Sequence, residues 1–315
     1  MNIEQLFDIC KANGRAPVMI SSGNSAVVAA TALEGRLFYA RNGEAVSLFR
    51  KEAASGISSR SNGYFNPGGD GLWPAPEGTR FGYEYASGSW RVPPSITTAR
   101  YEVISISPDS FEIAAEIDLV NNQQLGIPCR FIRRVGIREE NSATIIEQFD
   151  AIEYIGSCEL APEVFRLAPW SLSQFNVNSA TVARFGDPGE PVRDLYMPSG
   201  DLLVSDGETV NMKHDPVNRI QLALPEKSRF VELLLPDRNL QITRTSAPLA
   251  EGMQPIDIAD AAPDADPAGA VRFSIYNDPS GFMELEVAGG GPSDALIPGT
   301  ILGMNITNAI KNMED

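Results

Sequence analysis

The sequence predicts an all-β protein: two large antiparallel sheets packed together, preceded by one short helix. Three observations carry that prediction. Past residue 16, nearly every apolar run alternates with period two, the signature of strands with one buried face. Turn chemistry interrupts these runs throughout, supplied by 27 glycines and 23 prolines in 315 residues. No second helical pattern of useful length lies between the strands, which argues against a parallel sheet built from strand–helix–strand units.

Taken in order, Ile3, Leu6, Phe7 and Cys10 recur at helical spacing, and Gly14 stands where a glycine would stop the helix, predicting a helix over residues 3–13. Strand-like runs follow at 18–20, 26–33, 36–40, 101–106, 111–119, 143–149, 219–224, 230–235, 240–244, 271–276 and 282–287. Between them lie Glu34-Gly35, Asn42-Gly43, Asp206-Gly207, Pro236-Asp237 and Asp278-Pro279-Ser280-Gly281, all turn formers. Two stretches break the alternation. Residues 55–95, dense in glycine, proline, serine and aromatics, read as a functional loop; residues 247–269, small, acidic and proline-rich, read as a mobile surface loop. Neither separates two self-sufficient hydrophobic halves. The expected organisation is an N-terminal helical extension (1–15) and a single sandwich domain (16–315).

Charge and composition exclude several functions. With 41 acidic and 25 basic residues the net charge is −16, a field that repels nucleic acid and anionic membranes alike. The basic run Arg130-Phe131-Ile132-Arg133-Arg134 alternates like a strand and reads as a solvated or salt-bridged edge. The lone histidine, His214, excludes any mechanism or metal cage that needs two imidazoles. Cys10, Cys129 and Cys158 lie too far apart for a metal motif, and their odd number argues against a closed disulfide framework. No phosphate-binding loop, calcium loop or Gly-x-Ser-x-Gly elbow occurs, so neither a cofactor nor a metal is expected. A start without a secretory pattern and the lack of long apolar runs lead to the expectation of a cytoplasmic protein.

Three segments bear chemistry. The run from Asn66 to Gly78 holds Asp70, Trp73 and Glu77 among glycines and prolines. Trp73 could stack on a sugar face while Asp70 and Glu77 accept hydroxyl hydrogen bonds; alternatively the indole merely plugs the end of a sandwich. The run from Phe165 to Phe175 presents Trp170 beside Ser173 and Gln174, again as platform or as core. On a strand, Met283, Leu285 and Val287 share one side, leaving Glu284 and Glu286 on the other. If that second side is solvated, the acids are solubilising. If it lines a cleft, repulsion and burial raise the pKa of one, and the pair then offers a base and an acid. His214, in Asn211-Met212-Lys213-His214-Asp215-Pro216, reads as an exposed loop residue.

A resemblance adds to this reading. The opening at 26–49, with Leu33-Glu34-Gly35-Arg36-Leu37-Phe38-Tyr39 and then Arg41-Asn42-Gly43, resembles the start of galactose mutarotase-like proteins. The runs Gly68-Gly69-x-x-Leu72-Trp73-Pro74-Ala75-Pro76-Glu77 and Pro169-Trp170-Ser171-Leu172-Ser173 look like motifs of a branch of that superfamily. The end is similar too, with its late strand at 282–287 and the Leu296-Ile297-Pro298-Gly299 turn. The resemblance implies a galactose mutarotase-like β-supersandwich and a sugar or sugar derivative as ligand. It further implies aldose 1-epimerase chemistry, in which a glutamate takes the C1 hydroxyl proton and a histidine protonates the ring oxygen. Glu286 matches the glutamate, with Glu284 as its neighbour. The sequence departs from the pattern in its histidines: Asp70 follows the glycine pair, and only His214 remains. Three functions therefore stand open: a carbohydrate-binding protein with altered or lost catalysis, an active aldose or hexose-phosphate 1-epimerase using Glu286 with a carboxylic acid or His214 as donor, and a structural β-sandwich. The first two place Asn66, Asp70, Trp73, Glu77, Trp170 and Gln174 around one shared cleft.

Overall fold

The computed structural model describes residues 1–59, 61–82, 92–267 and 269–313. Two 10-stranded sheets dominate it, and every strand pair within them is antiparallel. The first, the site sheet, runs in the order Pro17–Ser22, Ser25–Ala30, Arg36–Arg41, Asp70–Ala75, Ala168–Asn176, Phe282–Ala288, Phe273–Asp278, Ile220–Leu224 and Arg193–Asp194, with Glu44–Ala45 paired to Arg36–Arg41. The second, the back sheet, runs Leu203–Ser205, Thr209–Lys213, Val182–Gly186, Phe230–Leu235, Leu240–Ser246, Ile301–Asn312, Ala143–Tyr154, Gly126–Glu140, Ser110–Val120 and Glu102–Ile106. No helix among the described residues is long and apolar enough to cross a membrane.

Alternation builds the core. In Ser110–Val120, Phe111, Ile113, Ala115, Ile117 and Leu119 turn inward, and from the other sheet Leu285 and Val287 meet the same hydrophobic cluster. Ile301–Asn312 has the same pattern, burying Leu302, Met304, Ile306 and Ile310, although the sequence analysis did not assign it as a strand. The N-terminal helix spans Ile3–Ala12; Asn2 caps it by accepting the Gln5 N–H at 2.8 Å. Its buried face of Ile3, Leu6 and Cys10 covers Val28 and Phe38 on the outer side of the site sheet.

The structure departs from three expectations. The stretch 55–95 is not simply a loop: Asp70–Ala75 is a buried strand in the middle of the site sheet, while residues 60 and 83–91 lie outside the described residues. Glycine chemistry explains its approach. Gly68 and Gly69 hold φ of +78° and +70°, and a Cβ on Gly68 would sit 2.3 Å from the Leu48 carbonyl oxygen. The stretch 247–269 is packed rather than a loop free of the body. Met253–Pro255 pairs with Gly290–Pro292, Ile256 and Ile258 are buried, and Asp257 binds Arg193; residue 268 lies outside the described residues. The basic run at 130–134 is no edge, because its strand is flanked on both sides and Arg133 is fully buried.

Arg133 anchors a cluster of buried charges that joins the sheets. Its guanidinium grips Asp150 bidentately at 2.9 Å and 2.9 Å within the back sheet, and reaches across to the Asp70 carboxylate and, at 2.8 Å, to the Asp70 carbonyl. Arg244 binds the other Asp70 oxygen at 2.9 Å and the Leu285 carbonyl at 2.5 Å. Ser171 donates to Asp70, and Gln148 donates to Asp70 and Asp150 while accepting from the Tyr39 hydroxyl. Burial alone would push the Asp70 carboxyl up, but Arg244 and Arg133 together hold it below its ordinary range. Two acids and two guanidiniums balance, so the cluster is stable only while complete. Asp70→Asn is expected to destabilise the fold by about 3–5 kcal/mol, since it strands buried positive charge. Arg138→Met, which breaks exposed pairs with Glu140 and Glu147, should change almost nothing. Urea unfolding of both variants checks this; equal effects would contradict the role given to the cluster.

Candidate functional site

Side chains that alternate with the core-facing ones point to the outer face of the site sheet, and register lines them up. One cross-strand row reads Gln174, Glu284, Tyr276, Gln221; the next reads Gly71, Leu172, Glu286, Ser274; a third sets Trp73 beside Trp170. These rows floor a cleft of about 470 Å³. Its walls carry Asn66, Tyr64, Glu77 and Tyr196, and Arg50 and Arg219 reach in from loops.

The aromatic lining falls into two groups, one around Trp73 and Trp170 and one around Tyr276. Trp73 and Trp170 meet edge to face, with centroids 6.0 Å apart and planes at 81°. Tyr276 lies 5.8 Å from Phe282 and 6.3 Å from Tyr196. Behind Trp73, the buried Arg36 guanidinium stacks on the indole while binding Glu34 and the Tyr64 hydroxyl. Gly71 is needed here, because a Cβ would strike that guanidinium at 2.6 Å. Arg219 donates to both Tyr276 and Tyr196 at 2.9 Å and 2.8 Å, and Arg50 stacks on Phe282.

At the floor, Glu284 and Glu286 are buried and lie within hydrogen-bonding reach of each other. Trp170 Nε1 donates to Glu286 at 3.1 Å, and Gln221 Nε2 spans both Glu286 oxygens at 3.1 Å and 3.0 Å. Gln174 Nε2 donates to Glu284 at 2.6 Å, while its Oε1, buried at the cleft surface, has no hydrogen-bond partner among the described residues. Burial, then the charge of Glu284, pushes the Glu286 carboxyl well above the usual carboxylate range. Burial raises Glu284 too; Arg36 pulls the other way, but its guanidinium is held by Glu34. The pair therefore keeps one proton where two isolated carboxyls would have lost both.

Of the residues singled out from sequence, Asn66, Trp73, Glu77, Trp170, Gln174, Glu284 and Glu286 meet in this cleft. Asp70 does not: one strand position out of phase with Gly71 and Trp73, it faces the back sheet and is consumed by Arg133 and Arg244. His214 does not either. It is buried rather than exposed, and its Nδ1 lies 2.6 Å from Asn277 Oδ1 outside the cleft lining. Sequence reasoning missed Gln221, Tyr64, Tyr196, Tyr276, Arg50 and Arg219. Gln221 had a signal, since it alternates with Ile220 and Leu222 on its strand; the loop residues had none. A larger hollow of about 580 Å³ on the back sheet is lined by charges such as the Arg134–Glu112 pair and buries no carboxyl, so the smaller cleft is the candidate site.

The architecture is the galactose mutarotase-like fold, two large antiparallel sheets with a short N-terminal helix. A galactose mutarotase-like protein from Lactobacillus casei superposes with a TM-score of 0.55 at 11% identity, over 94% of this chain and all of its own. A galactose mutarotase-like protein from Clostridium acetobutylicum gives 0.56 at 11%, covering 94% and 95% of the two chains. The Slr1438 protein of Synechocystis gives 0.58 at 12%, covering 94% and 96%. No protein-family model matches the sequence, and no curated protein matches it.

The raised acid pair has a thermodynamic consequence. Above the unfolded glutamate value of about 4.3 the unfolded chain sheds protons that the folded pair retains, so the pair's contribution to stability falls as pH rises through the folded pKa. Glu286→Gln removes one partner of that pair. Its stability relative to the unsubstituted protein should increase between pH 5 and pH 8 in urea titrations; a difference that does not change with pH would contradict the shared proton.

Proposed function

We propose that the protein binds a carbohydrate in the cleft between Trp73, Trp170, Tyr276 and the Glu284–Glu286 pair. The observation that carries this is Gln174: a buried amide at the cleft whose nitrogen is committed to Glu284 and whose oxygen has no donor among the described residues. Such an oxygen costs desolvation energy unless a ligand hydroxyl or a water supplies the proton. Around it stand what a sugar needs, aromatic rings for its apolar face and amide and acid groups for its hydroxyls. The likeness in fold to solved galactose mutarotase-like proteins supports the same class of ligand. A purely structural sandwich explains the buried tryptophans, yet it leaves the acid pair and the open amide oxygen without a reason to be there.

Thermal melts against a panel of aldoses and their phosphates test this proposal. A cognate sugar at a hundred times its dissociation constant should stabilise the protein by about 2.7 kcal/mol, with a change in tryptophan fluorescence. A panel that moves neither the melt nor the fluorescence would return the cleft to the structural reading.

A further inference from the structure

Resting on the sugar-binding reading, we infer that the cleft is built for two linked sugar residues, one against Trp73 and Trp170 and the next against Tyr276, Phe282 and Arg50.

Strand register sets the length of the site. Trp170 stands level with Ala288 and Tyr276 level with Glu284, four residues apart on the strand Phe282–Ala288 that lies between theirs. At strand spacing that is about 13 Å along the strands and about 10 Å across them, or about 16 Å between the two backbone positions. The intervening row is Gly71, Leu172, Glu286 and Ser274, which carries no aromatic ring. One pyranose ring is too short to lie against both aromatic groups, whereas two linked rings span them. A cleft of about 470 Å³ is also of the size that takes a drug-sized ligand, which a disaccharide is and a single sugar is not.

Each end has its own rings and its own polar groups. At the first, Tyr64 stands beside Trp73 with ring centroids 6.3 Å apart, and Trp170 donates to Glu286. At the second, Tyr276 is fixed by its hydroxyl, which accepts from Arg219 at 2.9 Å and donates to Asp278 at 2.7 Å. Phe282 continues this ring face, and the Arg50 guanidinium lies 5.4 Å from its centroid. The Arg50 backbone N–H donates to the Pro67 carbonyl at 3.1 Å, which brings Asn66 to the same end.

This second end holds two buried polar atoms that the protein leaves unmet. Arg50 donates to Ser280 at 3.3 Å through Nη2, but its Nε has no acceptor among the described residues. Gln174, in the Tyr276 row, has no donor for its Oε1 among the described residues. A buried donor and a buried acceptor each cost free energy while unpaired. Sugar hydroxyls both donate and accept, so one residue placed here satisfies both atoms. A single sugar held by the two indoles, the larger aromatic face, would leave Arg50 unmet.

Titration calorimetry compares monosaccharides (D-glucose, D-galactose, D-mannose and D-xylose) with the disaccharides built from them (cellobiose, maltose, lactose, mannobiose and xylobiose). At least one disaccharide should bind about tenfold or more tighter than either of its component sugars, a difference of about 1.4 kcal/mol. Arg50→Met should remove most of that advantage, whereas Trp73→Phe should weaken monosaccharide and disaccharide alike. If sugars bind and no disaccharide reaches that margin, the two-residue site is overturned and the sugar-binding reading stands. An Arg50→Met protein that keeps the original ratio of disaccharide to monosaccharide affinity also overturns it. If no saccharide of either length binds, both readings fall together.

Discussion

The Asp70 carboxylate, buried between two sheets and held by two guanidiniums, is the contact on which the rest of the molecule depends. It belongs to a strand that carries little side-chain bulk, since Gly71, Pro74 and Ala75 make up half of it. Arg133 and Arg244 come from different strands of the back sheet, so the cluster fixes that strand's position against both neighbours and against the opposite sheet. Because strand faces alternate, locking Asp70 inward turns Gly71 and Trp73 outward. Ser171 does the same for the next strand: its hydroxyl joins the cluster, and Trp170, Leu172 and Gln174 are left on the cleft side. Arg244 extends the hold to the third strand through the Leu285 carbonyl, beside Glu284 and Glu286. A structural network thus sets the register of the cleft floor from behind.

On the two faces of these same strands, buried acids are treated in opposite ways. Asp70 is matched by guanidiniums and kept ionised. Among the described residues the donors to Glu284 and Glu286 are neutral, an indole and two amides among them, and their burial is tolerated by retaining a proton. A neutral donor can orient a carboxyl without fixing its charge. That difference separates an acid whose charge is fixed by the fold from acids whose charge can change. The aromatic walls reinforce it, because they exclude water from the pair and lower the local dielectric.

Much of the fold was legible because period two is a direct record of which face is buried. The parity of Glu284 and Glu286 against Met283, Leu285 and Val287 needed no structure. What sequence could not show is pairing: Gln221 alternates with buried neighbours, but only the register Gln221–Tyr276–Glu284 brings it beside the acids. Asp70 was misread for the converse reason. Glycines and prolines made its segment look like a loop, and on a loop Asp70 and Trp73 can share a ligand; on a strand, residues three apart point to opposite faces. Tyr64, Tyr196, Arg50 and Arg219 come from connections whose course depends on the whole sandwich. His214 looked exposed because Lys213, Asp215 and Pro216 surround it, whereas its ring contact with Asn277 and its backbone bond to Thr181 draw it in.

The indole N–H of Trp170, which donates to Glu286, reports on the central claim that a singly protonated acid pair forms the sugar site. Its nitrogen-15 resonance can be followed against pH, with and without a saturating aldose that stabilises the protein. The expected result is one titration step well above the usual carboxylate range, and a displacement of both the resonance and the step when the sugar binds. A resonance that titrates as an ordinary carboxylate neighbour, and that a bound sugar leaves unmoved, would contradict it.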